Sequence, residues 1–272
     1  MTLKIILVRL DVMLQVENNL VRFIGWEPEG EWKKFQTIET ERPSMDVLYY
    51  RRCTEQYDME ILPQQPGPAV LLSKNALLSA NEDWTEACIT LLDGKEDGLE
   101  GALIAAIMTH LSTRGGLMLH TSLVDYQGKG ILFVGPSGIG KTTQAELWMK
   151  YRDAIIINGD MALVGEKDGV FTGYGCPWHG SSPYCENRQV PLSGIIVLEQ
   201  AKENTLKRLH GVAMIERMMR NIFLPHWCQK GADAAMETVD HLLSTVPVYL
   251  LKCRPDEEAV AMVERALFDS HD

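Results

Sequence analysis

Eight residues near the middle of the chain have the types and spacing needed to hold a nucleotide phosphate. Residues 135–142 follow the pattern G-x-x-x-x-G-K-T, which is the pattern of a phosphate-binding loop. The apolar run 131–134 before it predicts a buried strand, and residues 143–151 after it predict a helix. The motif therefore lies in the strand–loop–helix context that phosphate-binding loops require.

The chemistry of this loop follows from its residue types. Glycines let the backbone turn sharply and approach phosphates without a Cβ in the way, and the amides at the start of the next helix face an anion. Lys141 is expected to contact the β- and γ-phosphates, and Thr142 to offer a hydroxyl to Mg²⁺. The predicted nucleotide-binding residues are Gly135, Ser137, Gly138, Ile139, Gly140, Lys141, Thr142 and Thr143.

Asp160 bears a carboxylate, and its place in the sequence predicts that it lies near this loop. It follows the apolar run 154–157, one helix and one strand after the motif. We expect it to hold Mg²⁺ together with Thr142 and to act as general base for an acceptor hydroxyl. The alternative is a turn residue after Asn-Gly.

Composition and charge exclude some classes of protein. The 272 residues carry a formal net charge of −11 and show no basic stripe, so the sequence does not predict nucleic-acid binding. Charged residues interrupt the apolar N-terminus, which predicts neither a membrane span nor a secretory signal. The six cysteines are scattered, and the spacing of Cys176, His179 and Cys185 matches no standard zinc pattern. We therefore predict a cytoplasmic protein with free thiols.

The order of predicted elements indicates a mixed sheet. Strands at 5–16, 20–24, 32–38 and 47–51, joined by short turns, predict a β-rich region over 1–95 with antiparallel pairing. In residues 96–272, a predicted hairpin over 117–134 feeds the loop, and a meander over 154–172 follows its helix. We expect an α/β protein with an α+β tendency, whose sheet is mixed and largely antiparallel rather than doubly wound.

The hairpin, the loop and the aspartate together resemble a known family. Leu119-His120-Thr121-Ser122-Leu123-Val124, then 135–143 and Asp160, are similar to the HPr kinase/phosphorylase-like proteins, which share a core with phosphoenolpyruvate carboxykinases. The resemblance covers roughly residues 100–272. It implies a carboxykinase-like core, ATP and Mg²⁺, and a role for His120 as proton relay or partner of the catalytic carboxylate. Without the resemblance, a lone histidine among apolar neighbours is more often a satisfied core residue.

The chain departs from that family at the acidic pair, where Gly159 precedes the single Asp160. The Gly-rich signature expected next, and the basic loop that engages HPr, are not recognisable. The sequence is closest to the HPr-kinase-related peptide-serine kinases of modified-peptide clusters. The resemblance implies that Asp160, His120 and Lys141 are the catalytic residues. Because the family's other signatures are missing, phosphorylation of HPr itself is in doubt.

Several questions stay open from the sequence. The leading expectation is transfer of the γ-phosphoryl group of ATP to a Ser of a peptide or small protein, with a small-molecule acceptor as a variant. The alternative is a nucleotide-binding regulatory module with little turnover; carboxykinase chemistry is disfavoured because no further metal ligands are recognisable. Arg188 is a candidate clamp for the phosphate or acceptor, or a solvated loop cation, and His179 lines the acceptor pocket or an ordinary loop. A homo-oligomeric state is left open.

Overall fold

The computed structural model describes residues 11–16, 19–37, 42–51, 66–67, 69–92 and 95–269. The chain forms two compact units, Met1–Thr113 and Arg114–Asp272. Residues 5–10 of the predicted first strand lie outside the described residues.

The N-terminal unit contains a six-stranded sheet within its described part. The strands are β1 (Asp11–Val16), β2 (Asn19–Ile24), β3 (Met45–Arg51), β4 (Ala69–Ser73), β5 (Ala76–Ala80) and β6 (Glu86–Leu91), in the spatial order β1-β2-β3-β6-β5-β4. The strand-rich character predicted for this region is therefore found. The antiparallel pairing predicted for it is wrong at β3, which runs parallel to both β2 and β6. The connection from β2 to β3 is about twenty residues long, which suffices for the crossover that parallel pairing needs.

The strand predicted over 32–38 is also wrong, because Gly30–Phe35 forms a 3-10 helix. The ring of Trp32 packs edge-on against Trp26 at a centroid distance of 5.1 Å and against Phe23 at 6.1 Å. Phe35 is buried. Burial of these aromatic rings outweighs the weak alternation of the sequence.

The helix α1 (Leu99–Ser112) packs against β4, β5 and β6. A side chain on Gly98 or Gly101 would overlap Ser73, so glycine is what permits this close approach of helix and sheet. The compact units divide after this helix, whereas the sequence-based boundary between 95 and 96 lies before it.

In its described part, the C-terminal unit has nine strands in one sheet and four helices. The strands are β7 (Leu117–Tyr126), β8 (Lys129–Val134), β9 (Ile155–Asn158), β10 (Met161–Lys167), β11 (Val170–Tyr174), β12 (Gln189–Gln200), β13 (Thr205–Arg208), β14 (Ile222–Phe223) and β15 (Val248–Cys253). The helices are α2 (Lys141–Arg152), α3 (Gly211–Met219), α4 (Gln229–Thr245) and α5 (Glu257–Phe268). Helix α3 ends at Met219, and the chain then turns into β14.

The sheet has the mixed, largely antiparallel character predicted from the sequence. Its main order is β11-β10-β7-β8-β12-β15-β13, and β9 and β14 also pair with β7. Among the described strands of this second sheet, the parallel pairs are those of β12 with β8 and β15. The loop is fed by the second arm of the antiparallel hairpin β7–β8, as predicted.

Strand β7 changes its neighbours between His120 and Thr121. Residues 117–120 pair with β10, and 118–119 pair with β14 on the other side. Residues 121–126 pair with β8, and 123–125 with β9. The ends of β8 and β9 therefore meet next to His120, and the segments that follow these strands turn out of the sheet there.

The sheet carries an apolar layer on each face. Alternate residues of β8 divide between the layers, with Leu132 and Val134 in one and Ile131 and Phe133 in the other. The first layer is completed by α4, and the second by α2 and α5. The loop thus lies between a rigid strand and a helix that is itself packed against the sheet.

Trp148 tests this packing of α2. Its side chain is fully buried, its ring lies 5.2 Å from Tyr126, and its indole N–H has no hydrogen-bond partner among the described residues. We expect Trp148→Ala to lower the free energy of unfolding by about 3–5 kcal/mol. Trp148→Phe should lower it by less than about 1.5 kcal/mol, because it keeps an aromatic ring and removes an unsatisfied donor. Urea denaturation followed by circular dichroism measures both free energies. Equal losses would show that an aromatic ring at position 148 does not stabilise the packing of α2.

Candidate active site

The phosphate loop has the backbone conformation that its glycines permit. Gly135, Gly138 and Gly140 have φ angles of +152°, +77° and +111°, values that residues with a side chain rarely adopt. The strand β8 ends just before the first of these glycines, and α2 begins just after the last. The N-terminal end of α2, with its free amides and positive dipole end, therefore faces the loop.

Lys141 lies across the mouth of the loop. Only 6% of its surface is exposed. Its Nζ donates to the carbonyl oxygen of Gly135 at 3.2 Å and lies 3.0 Å from Nε2 of His120. Burial lowers the pKa of Lys141, and the carboxylate of Asp160 opposes this shift.

His120 brings the lysine and the aspartate together. The same Nε2 atom that faces Lys141 lies 3.2 Å from Oδ1 of Asp160. Burial lowers the pKa of His120, the charge of Lys141 lowers it further, and Asp160 raises it. A neutral imidazole nitrogen either donates or accepts, so it satisfies one of its two neighbours at a time. The structure thus places Asp160, His120 and Lys141, the predicted catalytic residues, in one cluster.

Asn158 positions Asp160, and the sequence analysis gave it no role. Its side-chain oxygen accepts hydrogen bonds from the backbone N–H groups of Asp160 and Met161, at 2.9 and 3.0 Å. Its amide nitrogen donates to the carbonyl oxygens of Cys176 and Trp178, at 3.0 and 2.9 Å. This fully buried residue therefore fixes the turn after β9 and the polar loop beside it. The signal was present in the Asn-Gly-Asp sequence, since asparagine side chains often bond the backbone two residues on.

Thr142 reaches the same turn from the phosphate loop. Its hydroxyl donates to the carbonyl oxygen of Gly159 at 3.1 Å, and the hydroxyl of Ser122 donates to that oxygen at 2.8 Å. The hydroxyl of Thr142 is thus bonded to the peptide group that links Gly159 to Asp160, the residue that bears the carboxylate. Oxygen donors of this kind suit Mg²⁺ that arrives with a nucleotide. Among the described residues, no group of three or more His, Cys, Asp and Glu side chains could hold a metal ion by itself.

The polar loop that contains His179 packs against Asp160 and Gly159. A Cβ on Gly180 would lie 2.6 Å from Oδ2 of Asp160, and a Cβ on Gly159 would overlap the hydroxyl of Ser182. His179 and Ser182 close a tight turn, with the backbone N–H of Ser182 donating to the carbonyl of His179 at 3.0 Å. His179 therefore lies beside the site. At position 159, where the resemblance to HPr kinase/phosphorylase-like proteins implies a second acidic residue, Ser182 leaves no room for a side chain.

Arg188, the predicted clamp, pairs with a residue near the end of β7, and its role as a clamp stays a prediction. Its guanidinium donates to Asp125 at 3.2 Å. Asp125 is five residues beyond His120 on β7, which is about 17 Å along an extended strand. After the polar loop the chain enters β12 beside β11 and β8, and the sequence pattern contained no sign of this path.

The segment from Arg217 to Asn221 contacts the phosphate loop and His120 through its last residue. Asn221 accepts a hydrogen bond from the N–H of Gly135 at its side-chain oxygen, 3.1 Å away, and from the N–H of His120 at its carbonyl, 2.8 Å away. Its amide donates to the carbonyl oxygen of Arg217 at 2.8 Å. A methionine-rich helix gave no signal for these contacts, because they depend on where α3 ends.

Two clefts flank the loop. One has a volume of about 400 Å³, and His120, Gly135, Arg217 and Arg220 are among its walls. The other has a volume of about 340 Å³ and lies along the start of α2, with Gly140, Thr143, Gln144 and residues 253–255 among its walls. The loop and the cluster around His120 therefore separate two spaces that can each hold part of a substrate.

The hairpin-fed loop, the mixed sheet and the buried lysine lie together in the part of the chain that a family model matches. The family model for the SynChlorMet cassette protein ScmC matches residues 99–268, more than half of the chain. The chain therefore belongs to the ScmC family.

Two individual proteins are similar to parts of the chain. The HPr kinase/phosphorylase of Mycoplasmopsis pulmonis (strain UAB CTIP) is 30% identical over 91 residues, which span 34% of this chain and 27% of that protein. The solved structure of the Hpr(Ser) kinase/phosphatase from Coxiella burnetii aligns over 56% of this chain and 88% of its own, with 12% identity and a TM-score of 0.34. The curated relative shows that the similarity, at family level, is to HPr-kinase-type proteins. No helix among the described residues is long and apolar enough to cross a bilayer.

The shared nitrogen of His120 gives a first prediction. Lys141→Met keeps the bulk of the side chain but removes the charge that lowers the pKa of His120, so this pKa should rise. Asp160→Asn removes the opposing charge and should lower the same pKa. NMR titration of the histidine ring measures both shifts. An unchanged pKa of His120 in Lys141→Met would show that the two groups do not interact.

The packing of Ser182 on Gly159 gives a second prediction. Gly159→Ala forces the Cβ into the serine hydroxyl and should cost about 1–3 kcal/mol of stability. The double variant with Ser182→Gly should recover most of this loss relative to Ser182→Gly alone. Thermal unfolding of the four proteins of this cycle measures the coupling. Additive losses would mean that the two residues do not compete for space.

Proposed function

We propose that the protein is an ATP- and Mg²⁺-dependent kinase that transfers the γ-phosphoryl group to a hydroxyl, the acceptor being a Ser of a peptide or small protein. The supporting observation is the convergence of Lys141, His120 and Asp160 at the mouth of the loop, within 3.0 and 3.2 Å of one nitrogen atom. A cation for the phosphates thus lies next to a carboxylate that can accept a proton.

The positions of the two clefts define the proposed orientation of the nucleotide in the site. The triphosphate occupies the loop, and the nucleoside occupies the cleft along α2, where Thr143 and Gln144 extend the loop. The terminal phosphate then points towards Lys141 and His120. The acceptor approaches from the remaining cleft, so that the reacting groups meet beside Asp160.

Mg²⁺ bound with the nucleotide would be held by the hydroxyl of Thr142 and the carboxylate of Asp160, and it supplies charge neutralisation at the phosphates. Phosphate oxygens draw Lys141 away from His120. The freed Nε2 then donates to Oδ1 of Asp160 and holds this carboxylate in position. Asp160 accepts the hydroxyl proton of the acceptor, while the loop amides and Lys141 stabilise the charge on the transferred group.

A second function is favoured by Gly159. A nucleotide-binding module that regulates a partner needs the loop and Lys141 but not an acidic pair. The hydroxyl of Ser182 fills the space beside Gly159, so the site has a single carboxylate in this position. Slow or absent turnover with tight nucleotide binding is the expected behaviour of such a module.

Transfer from labelled ATP with Mg²⁺ to a panel of serine peptides and small hydroxylated molecules separates the two functions. Asp160→Asn should lower transfer by about 10²–10⁴-fold, the usual contribution of a general base. Asp168→Asn, in the exposed turn between β10 and β11, is the matched control and should transfer at the wild-type rate. Tight ATP binding without transfer to any acceptor would favour the regulatory module.

Calorimetry of ATP binding tests the loop itself. Lys141→Ala removes the buried ammonium group and should weaken ATP binding by at least about tenfold, because charge-assisted hydrogen bonds contribute about 1.5–3 kcal/mol. Unchanged affinity would contradict the placement of the triphosphate in this loop.

A further inference from the structure

We propose that the cleft between the phosphate loop and α3 selects an acceptor segment with an acidic residue near its serine, and that Arg217 is the residue that recognises the acid. This inference rests on the proposed kinase function and specifies the class of its substrate. It concerns a helix to which the sequence analysis gave no part in the site.

The position of α3 makes it a wall of the reaction space. Asn221, just beyond the end of the helix, is hydrogen-bonded to the first glycine of the loop and to the backbone of His120. The cleft of about 400 Å³ is bounded by His120 and Gly135 on one side and by Arg217 and Arg220 on the other. A molecule in this cleft therefore contacts both the catalytic histidine and α3.

Among the described residues that line the cleft, Arg217 is the cation that remains available to a ligand. Both carboxylates in its walls are already paired: Glu199 with Lys252 at 2.6 Å and Glu216 with Arg220 at 2.8 Å. Within the described part of the chain, the hydrogen bond of the Arg217 side chain is to the carbonyl of Ala213, one turn earlier in the same helix. A carboxylate in the cleft would give this guanidinium a bidentate partner.

The surrounding segment has the opposite charge to the rest of the chain. Residues 205–230 contain five Lys and Arg residues and one Glu, a balance of +4, whereas the whole chain carries −11. An acidic segment is thus attracted to this part of an otherwise acidic protein. The helical period places Val212 and Ile215 beside the cleft-facing residues of α3, and these side chains are 81% and 47% exposed. A segment with both an acid and an apolar residue complements this surface.

Serine-peptide libraries with labelled ATP and Mg²⁺ test the inference. The libraries carry, beside a fixed central serine, either Asp and Glu, or Asn and Gln, or Lys and Arg. The wild type should incorporate about tenfold more phosphate into the acidic library than into the amide library. Arg217→Gln should bring this ratio close to one, and Arg217→Lys should keep part of it because the charge remains.

Arg265→Gln is the matched control. Arg265 is likewise a helix arginine bonded to the carbonyl one turn earlier, but it is on α5 and outside both clefts. Its acidic-to-amide ratio should equal that of the wild type.

The outcomes distinguish this inference from the proposed function. Incorporation without acidic preference, or a preference that Arg217→Gln keeps, overturns the role of Arg217 and leaves the kinase standing. ATP binding with no incorporation into any library overturns the peptide-kinase proposal, and this inference with it.

Discussion

The site depends on the change of neighbours in strand β7. Between His120 and Thr121 this strand exchanges β10 and β14 for β8 and β9. The ends of two strands are thereby brought to one point in the middle of a sheet. The phosphate loop leaves from one of these ends and the turn with Asp160 from the other. A histidine fixed in a continuous strand then lies between a segment that binds phosphate and a segment that bears a carboxylate.

This arrangement places three ionisable groups where none of them is fully solvated. Burial disfavours the charged forms of both Lys141 and His120, and Asp160 is the group that favours both. The carboxylate therefore favours the cation on Lys141, whereas burial and the charge of Lys141 favour the neutral imidazole of His120. Preorganised charge of this kind needs little rearrangement when a reaction develops charge nearby. Asn158 holds the backbone of Asp160 through its N–H group, and the carboxylate lies between His120 and the close approach of Gly180.

Features determined by local sequence were predictable. The loop, its hairpin, the helix after it and the mixed sheet follow from glycine positions, turn signals and apolar periodicity over short stretches. The surroundings of Arg188 and Arg217 were not predictable, because only the three-dimensional path of the chain decides that Arg188 pairs with Asp125 and that Arg217 lines the same cleft as His120. The roles of Asn221 and Ser182 were equally hidden, since each contacts a glycine that is remote in sequence. In the N-terminal unit, packing of Trp32 on Trp26 overrode a weak strand pattern.

The hydrogen bonds of Asn221 have a thermodynamic consequence. This residue joins the first amide of the phosphate loop, the backbone of His120 and the end of α3 into one unit. A molecule that shifts α3 must therefore alter the loop's affinity for phosphate. Linkage makes the effect reciprocal, since the nucleotide then changes the affinity for that molecule by the same factor. A single buried amide thus gives the two clefts a means of cooperating without any direct contact between their occupants.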